Sequence, residues 1–445
     1  MRPPGRPKVE YRSAQREGGQ HSSVPRVVIT ATGAVCSGGK SPGDILASVR
    51  SGTSSIAPIR QWDVAQWPTR MAGEVANFNA REMVEDRKLH KLIRRTDLFG
   101  LYAAGRAIEG AEFAAYRDTL SPDAAATFND RTGVYVGSGS GNFENQYDYF
   151  PLLAAAKGSL PEFGRELANT VNPMWLLRSL PNNVLGHIGI KYGLKGSNAC
   201  ITSHSCSGSL AVIEGMEALR NGEADRVVAV GHDAPIEPQM VLYYYRLGLI
   251  ASETLRPFDV ARDGSVFGEG AGALVLESAA SAAARNAKVL GEVLGGGYVS
   301  EAAGLLAIRD DGDGLARAIA GALDDAKVTA NDVGMIVAHG NGTRPSDASE
   351  AAAIRTVFGN QSPPATAFKW SFGHLIAAAG ILETTVALAA LAEGVVPGVA
   401  TLRQLDPECA GMSVSLSPQA PRSKIALVLC RGFGGTDAAL LVRAA

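Results

Sequence analysis

The sequence predicts an α/β protein whose two halves repeat one order of strands and helices. Apolar runs such as 26–36 (RVVITATGAVC) and 133–139 (GVYVGSG) are continuous rather than alternating, which is typical of strands buried on both faces. Each half also contains one very apolar helical stretch, at 206–219 and at 375–391, and such helices need to lie between layers. Both halves then run roughly strand, helix, strand, helix, strand, helix, strand, strand.

Composition limits the classes of function. The chain has 445 residues, 46% of them apolar and 19% charged, which is enough for a large core and two domains. The net charge of −2 gives no reason to expect a nucleic-acid or membrane partner, and no apolar run is long enough to span a bilayer. Residues 1–25 are rich in proline, glycine and arginine and are predicted to be a disordered tail without a secretory signal.

The cysteines indicate a reducing compartment, and we expect a cytoplasmic protein. None of the five forms a CxxC pair, so neither a zinc site nor a disulfide framework is predicted. The five are Cys36, Cys200, Cys206, Cys409 and Cys430.

Three stretches of the first half have sequence patterns that predict their local structure. Residues 53–80 are predicted to be an irregular excursion and residues 86–111 a basic helix. Residues 140–182 are long, aromatic and without clear periodicity, so we expect an irregular pocket wall there. We place the two structured halves at 26–284 and 285–445.

The stretch 195–219 (KGSNACITSHSCSGSLAVIEGMEAL) organises the rest of the chain. A short β-prone run ends in small polar residues, and a helical pattern starts at Cys206. Unpaired N–H groups and the helix dipole favour a thiolate there, so a lowered pKa and a nucleophilic Cys206 are predicted. The alternative is a buried core cysteine.

Three further side chains are candidates for chemistry. His339 follows a strand and precedes two glycines, where side chains that contact ligands are common. Lys369 lies in an apolar stretch, where burial of its charge requires a partner, and His374 stands at the start of the long apolar helix. The alternatives are hydrogen-bonded structural histidines and a solvated lysine.

Five ordered motifs give the chain a family resemblance from residue 26 to residue 443. They are GLKGSN…CSGSLAVIEG, RPFDVARDGSVFGEGAGALVLE, VAHGNGTRPSDASEAAAI, KWSFGHLIAAAGILE and RGFGGTDAALL. Together they resemble the thiolase-fold condensing enzymes, and within these the ketosynthases of the type II 3-oxoacyl-carrier-protein synthase group. The resemblance implies a thiolase-like, five-layered αβαβα fold.

The resemblance also implies roles for individual residues. The catalytic set would be Cys206, His339, Lys369 and His374, and the oxyanion hole would use the backbone N–H groups of Cys206 and Phe433. Glu350 would orient the site and Glu383 would be the partner of Lys369. The substrate-binding positions would be Asn341, Thr343, Ser140, Arg431 and Phe433.

The implied reaction is a decarboxylative Claisen condensation. An acyl group moves from a phosphopantetheine thioester to the enzyme, and a malonyl thioester then loses carbon dioxide and attacks it. No metal or resident cofactor is implied, because the phosphopantetheine arrives on an acyl carrier protein. The alternative is a ketosynthase-like, non-elongating partner that shapes chain length in a heterodimer.

Departures from the family pattern favour a specialised polyketide or polyene-type pathway over housekeeping fatty-acid synthesis. Asn341 replaces a usual threonine, and the segment before Cys206 is one residue longer than usual. Arg431 replaces a phenylalanine beside the gating Phe433. Arg431 either faces the acyl pocket or pairs with Asp437 and supports the turn.

Two protein contacts are expected. Lys91, Arg94 and Arg95 are spaced to share one helix face and resemble the family's docking positions for an acidic carrier protein. The strand at 199–202 is predicted to pair across a two-fold axis, either in a homodimer or in a heterodimer with a ketosynthase-like chain.

Overall fold

A computed structural model of the chain describes residues 24–76, 79–139, 144–359 and 361–445. Its strands are β1 Val27–Cys36, β2 Ala57–Pro58, β3 Met71–Ala72, β4 Thr132–Ser138, β5 Asn198–Ile201, β6 Arg226–Asp233, β7 Gly270–Ser278, β8 Gly291–Ser300, β9 Met335–Val337, β10 Pro364–Thr366, β11 Ser413–Val414, β12 Ile425–Gly432 and β13 Thr436–Ala444.

The α-helices are α1 Pro42–Arg50, α2 Ala80–Met83, α3 Arg95–Gly110, α4 Phe113–Arg117, α5 Pro122–Asp130, α6 Glu144–Ala155, α7 Leu160–Thr170, α8 Trp175–Ser179, α9 Asn183–Tyr192, α10 Ser207–Arg220, α11 Pro238–Arg246, α12 Ala279–Ala284, α13 Asp313–Ala326, α14 Arg344–Phe358, α15 Lys369–Phe372 and α16 Ala379–Ala392. Short 3-10 turns lie at Leu89–Lys91, His204–Cys206, Ala330–Asp332, Ile376–Ala378 and Pro407–Cys409.

One mixed sheet carries the repeat of the two halves. Its strand order is β11-β10-β9-β12-β13-β8-β1-β7-β6-β4-β5. In the first half, β1, β7 and β6 pair antiparallel, and β6, β4 and β5 pair parallel. The second half repeats this order, with antiparallel β8, β13 and β12 followed by parallel β12, β9, β10 and β11. The halves join where β1 pairs with β8 over only three residue pairs.

The helices form layers around the two halves of the sheet. Helix α3 packs on β1, β7 and β6, and α13 packs on β8 and β13. Between the halves, α10 and α16 contact each other and strands of both halves, and nearly all their residues are buried. This arrangement confirms the predicted α/β fold with an apolar helix of each half in the middle layer.

Two local predictions were wrong. The basic stretch 86–111 is not one helix, because a 3-10 turn and an extended Arg94 precede α3. Residues 144–179 contain α6, α7 and α8 rather than an irregular wall. The predicted tail at 1–25 falls almost entirely outside the described residues. Among the described helices, none is long and apolar enough to cross a membrane.

The middle layer depends on a close approach at the start of α10. A Cβ atom added at Gly208 would lie 2.8 Å from the carbonyl oxygen of Ala377 and 2.9 Å from Cγ2 of Ile381. We therefore expect Gly208→Ala to lower the free energy of unfolding by about 1–3 kcal/mol, because backbone has to move. Chemical denaturation measures the change.

Gly164 in α7 is the matched control, because a Cβ there would meet nothing within 4 Å. Gly164→Ala should be neutral or stabilise by up to about 1 kcal/mol, since alanine is the better helix former. Equal effects of the two substitutions would contradict the predicted contact.

Candidate active site

A cavity of about 410 Å³ opens where loops of both halves meet. The 3-10 turn after β5, the loop after β9, the segment before α16 and the β12–β13 turn all contribute to its wall. Loops that follow parallel strands carry functional groups because the scaffold fixes their positions. The cavity therefore has the placement expected of an active site.

The 3-10 turn His204–Cys206 presents two side chains, His204 and Ser205, to the cavity and one, Cys206, to the core. His204 has a left-handed backbone, with φ of 49°. Ser205 lines the cavity, and its Oγ lies 3.0 Å from Nε2 of His374. Cys206 is fully buried, is not among the lining residues, and its Sγ donates to the carbonyl oxygen of Thr436 at 3.3 Å.

The structure therefore does not place the Cys206 thiol in the cavity beside the histidines, as its predicted role as nucleophile requires. The lowered pKa is also contradicted, because burial, with Cys430 and Asp437 nearby, raises the pKa of the Cys206 thiol well above its ordinary value. The N–H of Cys206 donates to the carbonyl oxygen of Ser203 at 3.1 Å, so it is not free to serve an oxyanion hole.

The position of Ser205 could have been found in the sequence. The segment before Cys206 is one residue longer than in the family pattern, and that discrepancy disappears if the nucleophile position is Ser205. Cys206 lies one residue beyond that position.

His339 and His374 come together as predicted. Their ring centroids lie 5.1 Å apart and their planes are nearly perpendicular at 83°. Both line the cavity, and neither ring nitrogen of His339 has a hydrogen-bond partner. Burial, together with the positive charge of Lys369, lowers the pKa of both imidazoles well below the ordinary value. Both rings are therefore neutral at pH 7, and each can donate one N–H.

Glu350 holds the loop that carries His339. Its carboxylate accepts from the backbone N–H of His339 at 2.6 Å and of Gly340 at 2.9 Å. Burial raises the pKa of Glu350 above its ordinary value, although these two hydrogen bonds oppose the shift. This geometry agrees with the predicted orienting role.

Lys369 and Glu383 form the predicted ion pair beneath the histidines. The Nζ of Lys369 lies 2.7 Å from Oε1 of Glu383, and both side chains are fully buried. Burial raises the pKa of Glu383 to about 7, and the lysine opposes that shift. The positive charge of Lys369 contributes to the lowered pKa of both His339 and His374.

The predicted substrate-binding residues differ in outcome. Asn341, Thr343 and Phe433 line the cavity, and Thr343 Oγ1 donates to Asn341 Oδ1 at 2.8 Å. Ser140 lies outside the described residues. Arg431 lines the cavity, but its nitrogens bond Asp437 Oδ1 at 3.0 Å, the carboxylate of Glu301 and the carbonyl oxygen of Ser346. The structure thus favours the interpretation in which Arg431 supports the turn.

The predicted carrier-docking face is not present as described. Lys91 is exposed, but Arg94 is buried at the start of α3 and pairs with Asp97. Arg95 pairs with the fully buried carboxylate of Glu269. These two arginines anchor the helix instead of forming an exposed basic face, because the helix begins at Arg95 and not at Asp86.

Comparisons with known proteins agree with this fold and cavity. Residues 25–282 match the family described as beta-ketoacyl synthase, N-terminal domain, and residues 290–403 match the family described as beta-ketoacyl synthase, C-terminal domain. A 3-oxoacyl-[acyl-carrier-protein] synthase 2 of Synechocystis sp. is 32% identical over 428 residues, which cover 93% of this chain and 97% of the relative.

Solved structures are similar over nearly the whole chain. The ishigamide ketosynthase/chain length factor superposes with a TM-score of 0.84 at 29% identity, over 95% of this chain and 100% of the other. AntDE:AntF, a type II PKS acyl-carrier protein in complex with its ketosynthase, superposes with a TM-score of 0.77 at 26% identity, with the same coverage.

Fold and site together define an acyl-transferring enzyme of the thiolase-fold, carbon–carbon bond-forming class. The two matched regions cover more than half of the chain and include every predicted catalytic position. The chain belongs to the beta-ketoacyl synthase family.

The buried ion pair generates a stability prediction. Lys369→Met leaves the buried carboxyl group of Glu383 without its partner, so we expect a loss of about 3–5 kcal/mol in the free energy of unfolding. The double variant Lys369→Met/Glu383→Leu should recover most of that loss, because an apolar pair replaces both charges. Denaturation of the three proteins tests this, and additive losses in the double variant would contradict it.

Proposed function

We propose that the chain is a β-ketoacyl-[acyl-carrier-protein] synthase that catalyses decarboxylative condensation. The observation that carries the proposal is the pair of neutral histidines facing one cavity, with unpartnered ring nitrogens on His339. Two buried N–H donors suit a thioester oxygen that becomes negative during reaction. The product would be a 3-oxoacyl carrier protein. The departures from the family pattern favour specialised polyketide biosynthesis over fatty-acid synthesis as its pathway.

The ring hydrogen of His374 can be assigned. The backbone N–H of Ile376 donates to Nδ1 of His374 at 3.3 Å, so Nδ1 is unprotonated and Nε2 carries the hydrogen. That N–H points to the turn at Ser205, which is where the reacting carbonyl groups would lie. His374 therefore acts as a hydrogen-bond donor and not as a base.

The condensation step follows from these donors. The bond between the malonyl carboxylate and its α-carbon breaks, carbon dioxide leaves, and the electron pair forms an enolate at the thioester. His339 and His374 stabilise the enolate oxygen, each donor being worth about 3–4 kcal/mol. The enolate carbon then attacks the carbonyl carbon of an acyl group held by the enzyme at the 204–206 turn, and the released enzyme group takes up a proton from water.

The substrates would arrive on an acyl carrier protein, whose pantetheine arm passes Asn341 and Thr343 at the cavity wall. The AntDE:AntF complex, in which a ketosynthase holds a carrier protein, supports this part of the proposal. The reaction as proposed needs no resident metal or cofactor. A cytoplasmic location completes the proposal, and all five cysteines are free, in keeping with a reducing compartment.

A second candidate is a non-elongating partner subunit. It is favoured by one observation, that Ser205 rather than a cysteine faces the histidines. The intact histidine pair and its buried ion pair favour the active enzyme, because a partner that only shapes a tunnel needs neither.

Assembly follows from the edge strand of the sheet. Within the part of the chain that the structure describes, β5 is the last strand in the order and β4 is its one sheet partner. An open edge of this kind invites pairing with another chain, so we expect a dimer through β5. Light scattering measures the mass in solution, and a stable, active monomer would contradict the prediction.

The histidine pair gives the test of function. Wild-type protein incubated with acyl and malonyl carrier proteins should release carbon dioxide and form the 3-oxoacyl product, both detectable by mass spectrometry. His339→Ala and His374→Ala should each lower the rate about 100- to 1,000-fold, the usual loss for one donor of this kind. Wild-type protein that neither decarboxylates nor condenses a range of substrates would favour the partner-subunit alternative.

A further inference from the structure

Ser205 lies in a continuous set of hydrogen bonds. Its Oγ is 3.0 Å from Nε2 of His374 and 3.0 Å from Nδ1 of His204. The other nitrogen of His204, Nε2, is 2.6 Å from the hydroxyl oxygen of Tyr244. His204, Ser205 and Tyr244 are all buried or nearly so, and all three line the cavity.

Backbone donors fix the direction of these hydrogen bonds. Nε2 of His374 carries its hydrogen, as shown above, so it donates to Ser205 Oγ. The N–H of Phe433 points to Nδ1 of His204 at 3.4 Å, so Nδ1 is the acceptor nitrogen and Nε2 is the donor. Among the contacts described for Ser205 Oγ, His204 Nδ1 is then the acceptor of the hydroxyl hydrogen, and His204 Nε2 donates to Tyr244.

We propose that Ser205 is the acyl-accepting nucleophile of this enzyme, that His204 is its general base, and that Tyr244 is a positioning residue that orients the base. This inference rests on the proposed condensation and names the atom that holds the acyl group. Cys206, which is adjacent in sequence, takes no part in it.

The acylation step balances without a co-reactant. Ser205 Oγ attacks the carbonyl carbon of the acyl thioester while His204 Nδ1 takes the hydroxyl proton. The carbon–sulfur bond breaks, and the pantetheine sulfur leaves with the proton that His204 held. The product is an oxygen ester on Ser205 and a free pantetheine thiol.

The chemistry explains why a histidine accompanies a serine here. A cysteine thiol ionises readily enough to be nucleophilic alone, whereas a serine hydroxyl needs an adjacent base. Burial lowers the pKa of His204 to about 4, so the imidazole is neutral at pH 7 and Nδ1 keeps the lone pair that faces the Ser205 hydroxyl. A serine without His204 would have no acceptor for its proton among the contacts described for Oγ.

Packing holds the base in place. The ring of His204 stacks on Phe433, with centroids 4.5 Å apart and planes at 18°, and Tyr244 also stacks on Phe433, with centroids 5.3 Å apart. Tyr244 itself packs on Phe267 at 4.8 Å. The ring orientation that aims Nδ1 at Ser205 is therefore fixed by aromatic contacts as well as by the Tyr244 hydroxyl.

The first test identifies the adduct. Wild-type protein mixed with an acyl carrier protein should gain the acyl mass, and the adduct should survive neutral hydroxylamine, which cleaves thioesters but not oxygen esters. Ser205→Ala should gain no acyl mass, and Cys206→Ala, the adjacent control, should be acylated as fast as wild type. An adduct released by neutral hydroxylamine and missing from Cys206→Ala would overturn the proposal.

The second test isolates the base. His204→Asn keeps a polar side chain that tolerates the left-handed backbone but cannot take the proton. As a single substitution, His204→Asn should slow acylation about 100- to 10,000-fold, the usual contribution of a general base. In the Ser205→Cys background, the same change should cost less than about tenfold, because a thiol depends less on a base. Equal losses in both backgrounds would mean a structural role and would overturn the assignment of His204.

Tyr244→Phe tests the positioning residue in the same way. Tyr244→Phe should lower the rate of acylation less than His204→Asn does, and it should have no effect on that rate in the Ser205→Cys background. A packing defect would lower the rate in both backgrounds.

Decarboxylation separates this proposal from the proposed function. Carbon dioxide release from malonyl carrier protein without an acyl donor depends on His339 and His374 and needs no acyl adduct, so it is measured on wild type separately from acylation. Release without any adduct on wild type would overturn only the Ser205 proposal. Wild-type protein that shows neither carbon dioxide release nor an acyl adduct would overturn the proposed function itself.

Discussion

The whole site depends on one contact, the approach of the 204–206 turn to the segment 374–378. Helices α10 and α16 come from opposite halves of the chain, and both begin within the buried middle layer. Gly208 permits the start of α10 to approach the carbonyl oxygen of Ala377 because it has no side chain. The same approach brings Ser205 within 3.0 Å of His374. A site made this way is assembled only when both halves have folded and packed together.

Much of the fold could be predicted from the sequence, because continuous apolar strands and two very apolar helices can pack in few arrangements. A lysine in so apolar a stretch as that of Lys369 needs a buried partner, and the family resemblance identified that partner as Glu383. The histidines and the Glu350 carboxylate followed from the family resemblance. These features depend on residue type and neighbourhood, which a sequence displays directly.

Other features depend on a register or a boundary that the sequence does not display. A displacement of one residue in a 3-10 turn moves a side chain from the cavity to the core, and this separates Ser205 from Cys206. Because α3 begins later in the chain than predicted, Arg94 and Arg95 pair with Asp97 and Glu269 and do not form an exposed basic face. In both cases tertiary packing, not composition, decides what a side chain meets.

The open edge of the sheet has a consequence for how the enzyme communicates with its surroundings. β5 ends at Ile201, and the 3-10 turn that holds Ser205 begins three residues later at His204. A chain that adds a strand to β5 therefore pairs with the backbone segment that leads directly into the turn carrying Ser205. The backbone that would pair with a partner chain and the turn that positions the Ser205 hydroxyl are thus separated by only a few peptide bonds.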